Sequence, residues 1–375
     1  MTRSSRLPLE GIRVIAIEQA VAAPFCSARL ADAGAHVVKI ERPEGDFARG
    51  YDDVCAGQSS YFVWLNRGKE SLVLDLSLPE GRQVLSDLIA QADVVVQNLK
   101  PGALDRLGFG LARLREAYPR LILCSISGFG EDGPMAGRKA YDLLIQAEAG
   151  LSSITGGPDE PARVGISVVD IATGATAHAA ILEALIARSI TGQGADIRVS
   201  MFDVMAEWLT VPLLQAEGGN PPRRLGLAHP SIAPYGVFAT KGGKAILISI
   251  QSEREWAQFC AEVLRQPEKA ADPLYATNVA RVSNYAETAA LVASVFVSLT
   301  EEEAICRMVK ADTAFASIND MAGLSQHPHL RRIMVETEAG PVACPAPAPI
   351  FIDAPRSYGA VPALGQHGNP KENTR

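Results

Sequence analysis

The first 130 residues alternate short apolar runs with helical patterns, and this rhythm limits the possible folds more than anything else in the chain. Residues 11–17 (GIRVIAI) read as a buried strand. Residues 23–33 (APFCSARLADA) have helical spacing, with Gly34 placed to end the helix, and 35–40 (AHVVKI) form a second strand. The rhythm continues with a helix over 79–92, opened by Pro79 and Glu80, and a strand at 93–97 (DVVVQ). A short helix at 110–117 and a strand at 120–127 (RLILCSIS) follow. Such alternation predicts an α/β fold with a mostly parallel sheet covered by helices on both faces.

Residues 170–190 read as a long, Ala-rich buried helix, and 191–203 as a turn, a strand and a new helix. The polar stretch EGGNPPRR (217–224) breaks the pattern. Beyond it, YGVFAT and KAILISI are two strands split by the turn KGGK (241–244), a hairpin signal. Helices near 253–265, 285–298 and 301–310 complete a second, smaller α+β domain. Residues 341–375 are rich in Pro and Ala and are expected to pack as extended chain.

Several function classes are disfavoured. A net charge of −7 argues against nucleic acid as a partner. The six cysteines form no CxxC pair, the histidines show no metal spacing, and HPH (327–329) reads as a loop before a helix. No apolar signal region opens the chain and no window approaches the ~20 apolar residues of a membrane span, so a cytoplasmic protein with no membrane partner is expected. There is no Walker A motif, no GxSxG elbow and no HExxH pair, and the turn after the first strand, EQAVAAPF, has no glycine for a dinucleotide.

Two constellations are candidates for chemistry. Basic and amide side chains follow strand-like segments: Arg42 and Arg49; Asn66, Arg67 and Lys69; Asn98, Lys100 and Arg106; Arg138 and Lys139. Beyond strand ends such groups suit a polyphosphate, although each alone is equally readable as solvated surface charge. The second candidate is Asp170, in ISVVDIATGATAHAAILEAL (166–185). It reads either as a helix N-cap or as a carboxylate nucleophile stripped of water, the small residues after it leaving room for an incoming group.

The segments LPLEGIRVIAIEQAVAAP, LADAGAHVVKIERPEGD, LNRGKESLVLDL, NLKPGALDRLG, SISGFGEDGP, AYDLLIQAEAGLSSITG, VDIATGATAHAAILEAL and GQGADIRVSMFDV, in this order, resemble the class III coenzyme A transferases. PALGQHG resembles that family's C-terminal signature. The resemblance implies a Rossmann-like large domain built from both ends of the chain, a small central domain and a homodimer of interlocked rings. The implied boundaries are 1–205 for the first part of the large domain, 206–225 for a linker, 226–325 for the small domain and 326–375 for the return. It implies Asp170 as nucleophile and CoA contacts at Val21, Ala22, Arg42, Leu74, Asn98, Leu99, Arg106, Lys139 and Tyr141. CoA is then a substrate, and no cofactor or metal is permanently bound.

Racemases of this family carry a His-Asp pair where this chain has Tyr141-Asp142. Tyrosine is a poor base near neutrality, which favours CoA transfer over racemisation by carboxylate bases; CoA binding without catalysis is the third reading. Formyl-CoA transferases carry Gln at the position of Val21 and a glycine run where this chain has GLAHPSIAPYG (226–236). Those departures argue against oxalate and formate and toward C4–C5 dicarboxylates such as mesaconate, citramalate or itaconate, with succinyl-CoA or acetyl-CoA as donor. His229 is a candidate contact for a second carboxylate, and Arg223 and Arg224 are weaker ones.

Overall fold

A computed structural model describes residues 7–368. The chain divides into two units. The first holds residues up to 151, 163–213 and those from 331 onward; the second holds 152–162 and 214–330.

The first unit is built on a six-stranded sheet. Its strands are β1 (Arg13–Ile17), β2 (His36–Glu41), β3 (Lys69–Val73), β4 (Val94–Gln97), β5 (Ile122–Ser127) and β6 (Asp196–Ser200), in the order β3-β2-β1-β4-β5-β6. Every pair is parallel, with Val14 beside both Val37 and Val94. The apolar runs are continuous because both faces are covered. Val14, Val37, Val94, Val96 and Ile122 face a core completed by Cys26, Leu30, Ala172, Ala177 and Ile181 from two helices. Ile15, Val38, Leu72, Val95 and Leu123 face the opposite core, closed by Val84, Leu85, Ile89 and Leu114.

The two helices of the first core are Ala22–Asp32 and the long helix Val168–Thr191. They meet at Gly174, where a Cβ would lie 2.4 Å from the Ala22 carbonyl oxygen and 2.9 Å from the Phe25 Cβ. The small residues after Asp170 thus serve close helix packing, which corrects the expectation that they leave space for a substrate. By length and mean hydropathy alone the long helix passes for a membrane span, a window that the sequence reading did not single out. Here one face of it packs on the sheet through Val169, Ala172, Ala177, Ile181 and Ala184.

Several elements of this unit went unread, β3 and a late hairpin among them. β3 carries Lys69 and Ser71 inward, so it lacks an apolar signature. Near the other end of the chain, β10 (Arg332–Val335) and β11 (Val342–Pro345) form an antiparallel hairpin packed on Phe62 and Val63. HPH therefore precedes a strand, not a helix. Residues 346–368 run largely without regular structure. The Gly68 N–H donates to the Ala360 carbonyl at 2.8 Å, and the Ser71 N–H to His367 Nδ1 at 3.1 Å.

The second unit contains the three-stranded antiparallel sheet β7 (Tyr235–Ala239), β8 (Ala245–Ser249) and β9 (Ala314–Ser317). Phe238, Ile246, Ile248, Trp256, Phe259 and Phe296 form its core. The stretch expected to be a linker, 206–225, is partly helical, because Thr210–Glu217 is a helix and the division between the units falls within it. Residues 152–162, assigned to the large domain from sequence, belong here. Arg224 donates to the carbonyls of Ser153, Gly157 and Pro158 at 3.0–3.2 Å and so ties them in.

Candidate active site

The strand order reverses between β1 and β4, and in an open parallel sheet a crevice forms beyond the carboxyl ends at such a point. A cleft of about 520 Å³ lies there. Gln19 to Ala22 line it after β1, Asn98 to Pro101 after β4, and Ser127 and Gly128 at the end of β5. Tyr51, Tyr61, Arg138, Lys139, Tyr141, Asp142, Arg163 and Asp170 complete the wall. A second cavity of about 360 Å³ shares Gln19 and Leu99 with the first and adds Arg42, Leu74, Leu76 and Leu107.

The turn after β1 needs no glycine because other residues hold it. Ala20 adopts a left-handed conformation, φ 63°, which costs an L-residue energy. Its N–H donates to Asp46 Oδ1 at 3.1 Å. The neighbouring Gln19 is bracketed by Asn98, whose Oδ1 accepts the Gln19 N–H at 3.0 Å and whose Nδ2 donates to the Gln19 carbonyl at 2.8 Å. The Asn98 side chain is therefore partly spent on shaping the cleft.

Asp46 belongs to a buried ionic network. Lys39 Nζ lies 2.8 Å from Asp46 and 3.5 Å from Glu18, and Lys69 Nζ lies 2.6 Å from Glu18, all four side chains being fully buried. Burial opposes ionisation of Glu18, yet Lys69 and Lys39 win and hold its carboxyl below the usual range. Alongside, Arg49 forks onto Glu41 at 2.7 and 2.8 Å, and Glu41 also accepts from the Ser71 hydroxyl. Burial again opposes the charge, and these partners pull the Glu41 carboxyl down to about 2. The side chains of Arg49, Lys69 and Arg67, the last paired with Asp32, are structural here. This corrects their reading as a polyphosphate set.

Asp170 is not the cap of its helix. It is the third helical residue, and Ser167, at the cap position, makes no side-chain cap bond. The capping is done from elsewhere: Asp142 Oδ1 accepts the N–H of Val169 at 2.7 Å and that of Asp170 at 3.3 Å. Gln146 Nε2 donates to the other Asp142 oxygen at 2.6 Å. The Asp170 carboxyl is left in the cleft wall, partly buried and facing the charge of Asp142. Burial, then that like charge, push it up to about 7. Tyr51, across the same cleft, is pushed up to about 12 by burial and by the nearby acids Asp46 and Asp170.

The cleft therefore gathers Val21, Ala22, Asn98, Leu99, Lys139, Tyr141 and Asp170, and the adjoining cavity holds Arg42 and Leu74. Arg106 lines neither and stands exposed at the end of the helix Ala103–Arg106. His229 lies in the second unit, its ring stacked on Tyr235 at 5.2 Å and its Nδ1 accepting the Ser231 N–H. Sequence reasoning missed Gln19, Tyr51, Tyr61 and Arg163, which carry no motif of their own. It also missed the capping role of Asp142, set by a contact 28 residues away in the chain. Among the described residues no group of three or more His, Cys, Asp or Glu side chains is placed to hold a metal ion.

A family model described as CoA-transferase family III matches residues 9–368. A succinate–glutarate CoA-transferase from Agrobacterium fabrum is 35% identical, the match covering 96% of this chain and 94% of that one. An acetyl-CoA:oxalate CoA-transferase from Acetobacter aceti is 36% identical over 96% of this chain and 94% of its own. The crystal structure of a CAIB/BAIF family protein from Brucella suis superposes with a TM-score of 0.85 at 34% identity, covering 98% of this chain and 99% of that one.

Proposed function

The chain belongs to CoA-transferase family III, and on that footing we propose that it moves CoA from an acyl-CoA donor to a C4–C5 dicarboxylic acid, with Asp170 as the covalently acylated residue. The observation that carries this reading is the Asp170 carboxyl, released from helix capping by Asp142 and set in the wall of the cleft. Succinyl-CoA and acetyl-CoA are the candidate donors, and glutarate, mesaconate, citramalate and itaconate the candidate acceptors. Oxalate belongs in the same screen because of the relative named for it.

The chemistry begins when the Asp170 carboxylate attacks the donor thioester carbonyl. A mixed anhydride forms and the CoA thiolate leaves. The thiolate attacks the aspartyl carbonyl, giving an aspartyl-CoA thioester and the free donor acid. The acceptor carboxylate attacks that thioester, forming a second anhydride and releasing CoA again. CoA then attacks the acceptor's acyl carbon, and Asp170 is restored. Each step trades activated acyl groups of similar energy.

The environment of Asp170 supports this sequence. Burial and Asp142 destabilise its anionic form, and acylation removes that charge. The thiolate must stay bound while it is uncovalent, so CoA needs an anchor away from the reacting carbon. In the adjoining cavity Arg42 is the cation available to a phosphate and Leu74, Leu76 and Leu107 the apolar surface available to an adenine ring, with Glu44 and Asp75 also in the lining. Lys100, Arg138, Lys139 and Arg163 suit anionic groups along the cleft. Both Asp142 oxygens are committed to hydrogen bonds, which argues against that residue as a racemase base.

A homodimer is part of the proposal. Tyr141, Leu143, Leu144, Trp208 and Val211 are exposed on the first unit, and so are Ile350, Phe351 and Ile352. A second copy covering them would remove an apolar surface unusual for a monomer. Sedimentation at micromolar concentration should give a dimer, and a monomer would remove this part. For the chemistry, the enzyme is incubated with succinyl-CoA and hydroxylamine and its peptides are weighed. A hydroxamate on the peptide holding Asp170 is expected; an unmodified peptide during active transfer would sink the covalent reading.

A further inference from the structure

We propose that Asp46 is a positioning residue for CoA: from beneath the cleft it holds the Gln19–Val21 turn in the one conformation that builds the wall. The inference rests on the reading of this cleft as the CoA site. Ala20 has a left-handed backbone without being glycine, a conformation that persists only where the surroundings impose it. One restraint on it is visible, the 3.1 Å bond from the Ala20 N–H to Asp46 Oδ1. The same oxygen accepts the Ala48 N–H at 3.0 Å, and Oδ2 takes the Lys39 ammonium at 2.8 Å.

Asp46 is only 4% exposed, with both oxygens occupied, so it offers no free group to a ligand. Its own position is fixed by its backbone N–H, which donates to Glu41 Oε2 at 3.0 Å. Glu41 is in turn held by Arg49 and Ser71. The network thus runs from the β2 and β3 side of the sheet to the turn that opens the helix Ala22–Asp32. Without Asp46, Ala20 is free to relax to a negative φ, and Gln19 and Val21 would be carried out of register with Asn98 and Leu99.

The test compares CoA binding by calorimetry in the full-length protein. Wild type must bind CoA; if it does not, the reading of the cleft fails, a result distinct from failure of this proposal. Asp46→Ala should weaken CoA about tenfold, the scale of one left-handed residue, and adding Ala20→Gly in that background should recover most of the loss. A structural role alone would lower the melting temperature without a CoA defect that Ala20→Gly repairs. Because Asp46→Ala leaves Lys39 short of a partner, Lys39→Met/Asp46→Leu serves as the fold-preserving variant and should show the same defect and the same rescue. Normal CoA affinity in either soluble variant, or a defect that Ala20→Gly leaves untouched, overturns the proposal. In wild type, hydrogen exchange at the Ala20 amide should be slow before CoA is added; fast exchange there also overturns it.

Discussion

Two charge clusters border the cleft, and they are built on opposite principles. In the first, Glu18 and Asp46 face Lys39 and Lys69, and each buried charge has an opposite partner within 3.5 Å. In the second, Asp142 and Asp170 are two acids side by side, and Asp170 is raised rather than lowered. Paired charges fix backbone and stay as they are through a reaction. An unanswered charge is a source of reactivity, since acylation removes the repulsion that burial and a like neighbour impose. The contrast separates scaffold from chemistry more sharply than residue type does.

The comparison breaks first at Asp170. Asp170→Asn should lower steady-state transfer at least ~10³-fold, as removal of a covalent nucleophile does. The same change should raise the thermal midpoint at pH 8 and leave it unchanged near pH 3. The sign follows from linkage: Asp170 titrates higher in the folded state, so the stability it contributes at low pH is lost as pH climbs toward about 7. Asparagine never ionises and escapes that loss. Equal midpoints at pH 8 would mean that Asp170 is not under the repulsion described.

Glu18→Gln should cost stability of about 3–5 kcal/mol at pH 7 by leaving Lys69 and Lys39 short of a counter-charge, read by urea denaturation. A loss below about 1 kcal/mol would put this cluster in the same class as exposed ion pairs. The smallest change is the most diagnostic. In wild type, single-turnover acylation should rise with pH through about 7, because the carboxylate is the nucleophile. Asp142→Asn keeps an oxygen for the Val169 N–H but removes the like charge, so the midpoint of that rise should move down. An unmoved midpoint would assign the whole shift to burial.

How far the sequence could be read follows the same division. Where the sheet buries apolar side chains on both faces, as in GIRVIAI and DVVVQ, the pattern announces strands to within two residues. KESLV was opaque because its inward residues are Lys69 and Ser71, which make sense only once Glu18 and Glu41 are beside them. Asp170 was legible as an isolated acid in an apolar stretch. Its freedom from capping was not, because the group that replaces it, Asp142, arrives from another helix. The turn after β1 shows the same limit: the absence of glycine marked what the turn could not be, whereas Asn98 and Asp46 decide what it is.

The attachment of residues 360–367 to β3 bears on synthesis as well as on the finished molecule. β3 is an outer strand, and the backbone of Gly68 and Ser71 finds its outward partners in Ala360 and His367. Until the ribosome has passed His367, a nascent chain holding the whole parallel sheet still presents a bare margin to its neighbours on the polysome.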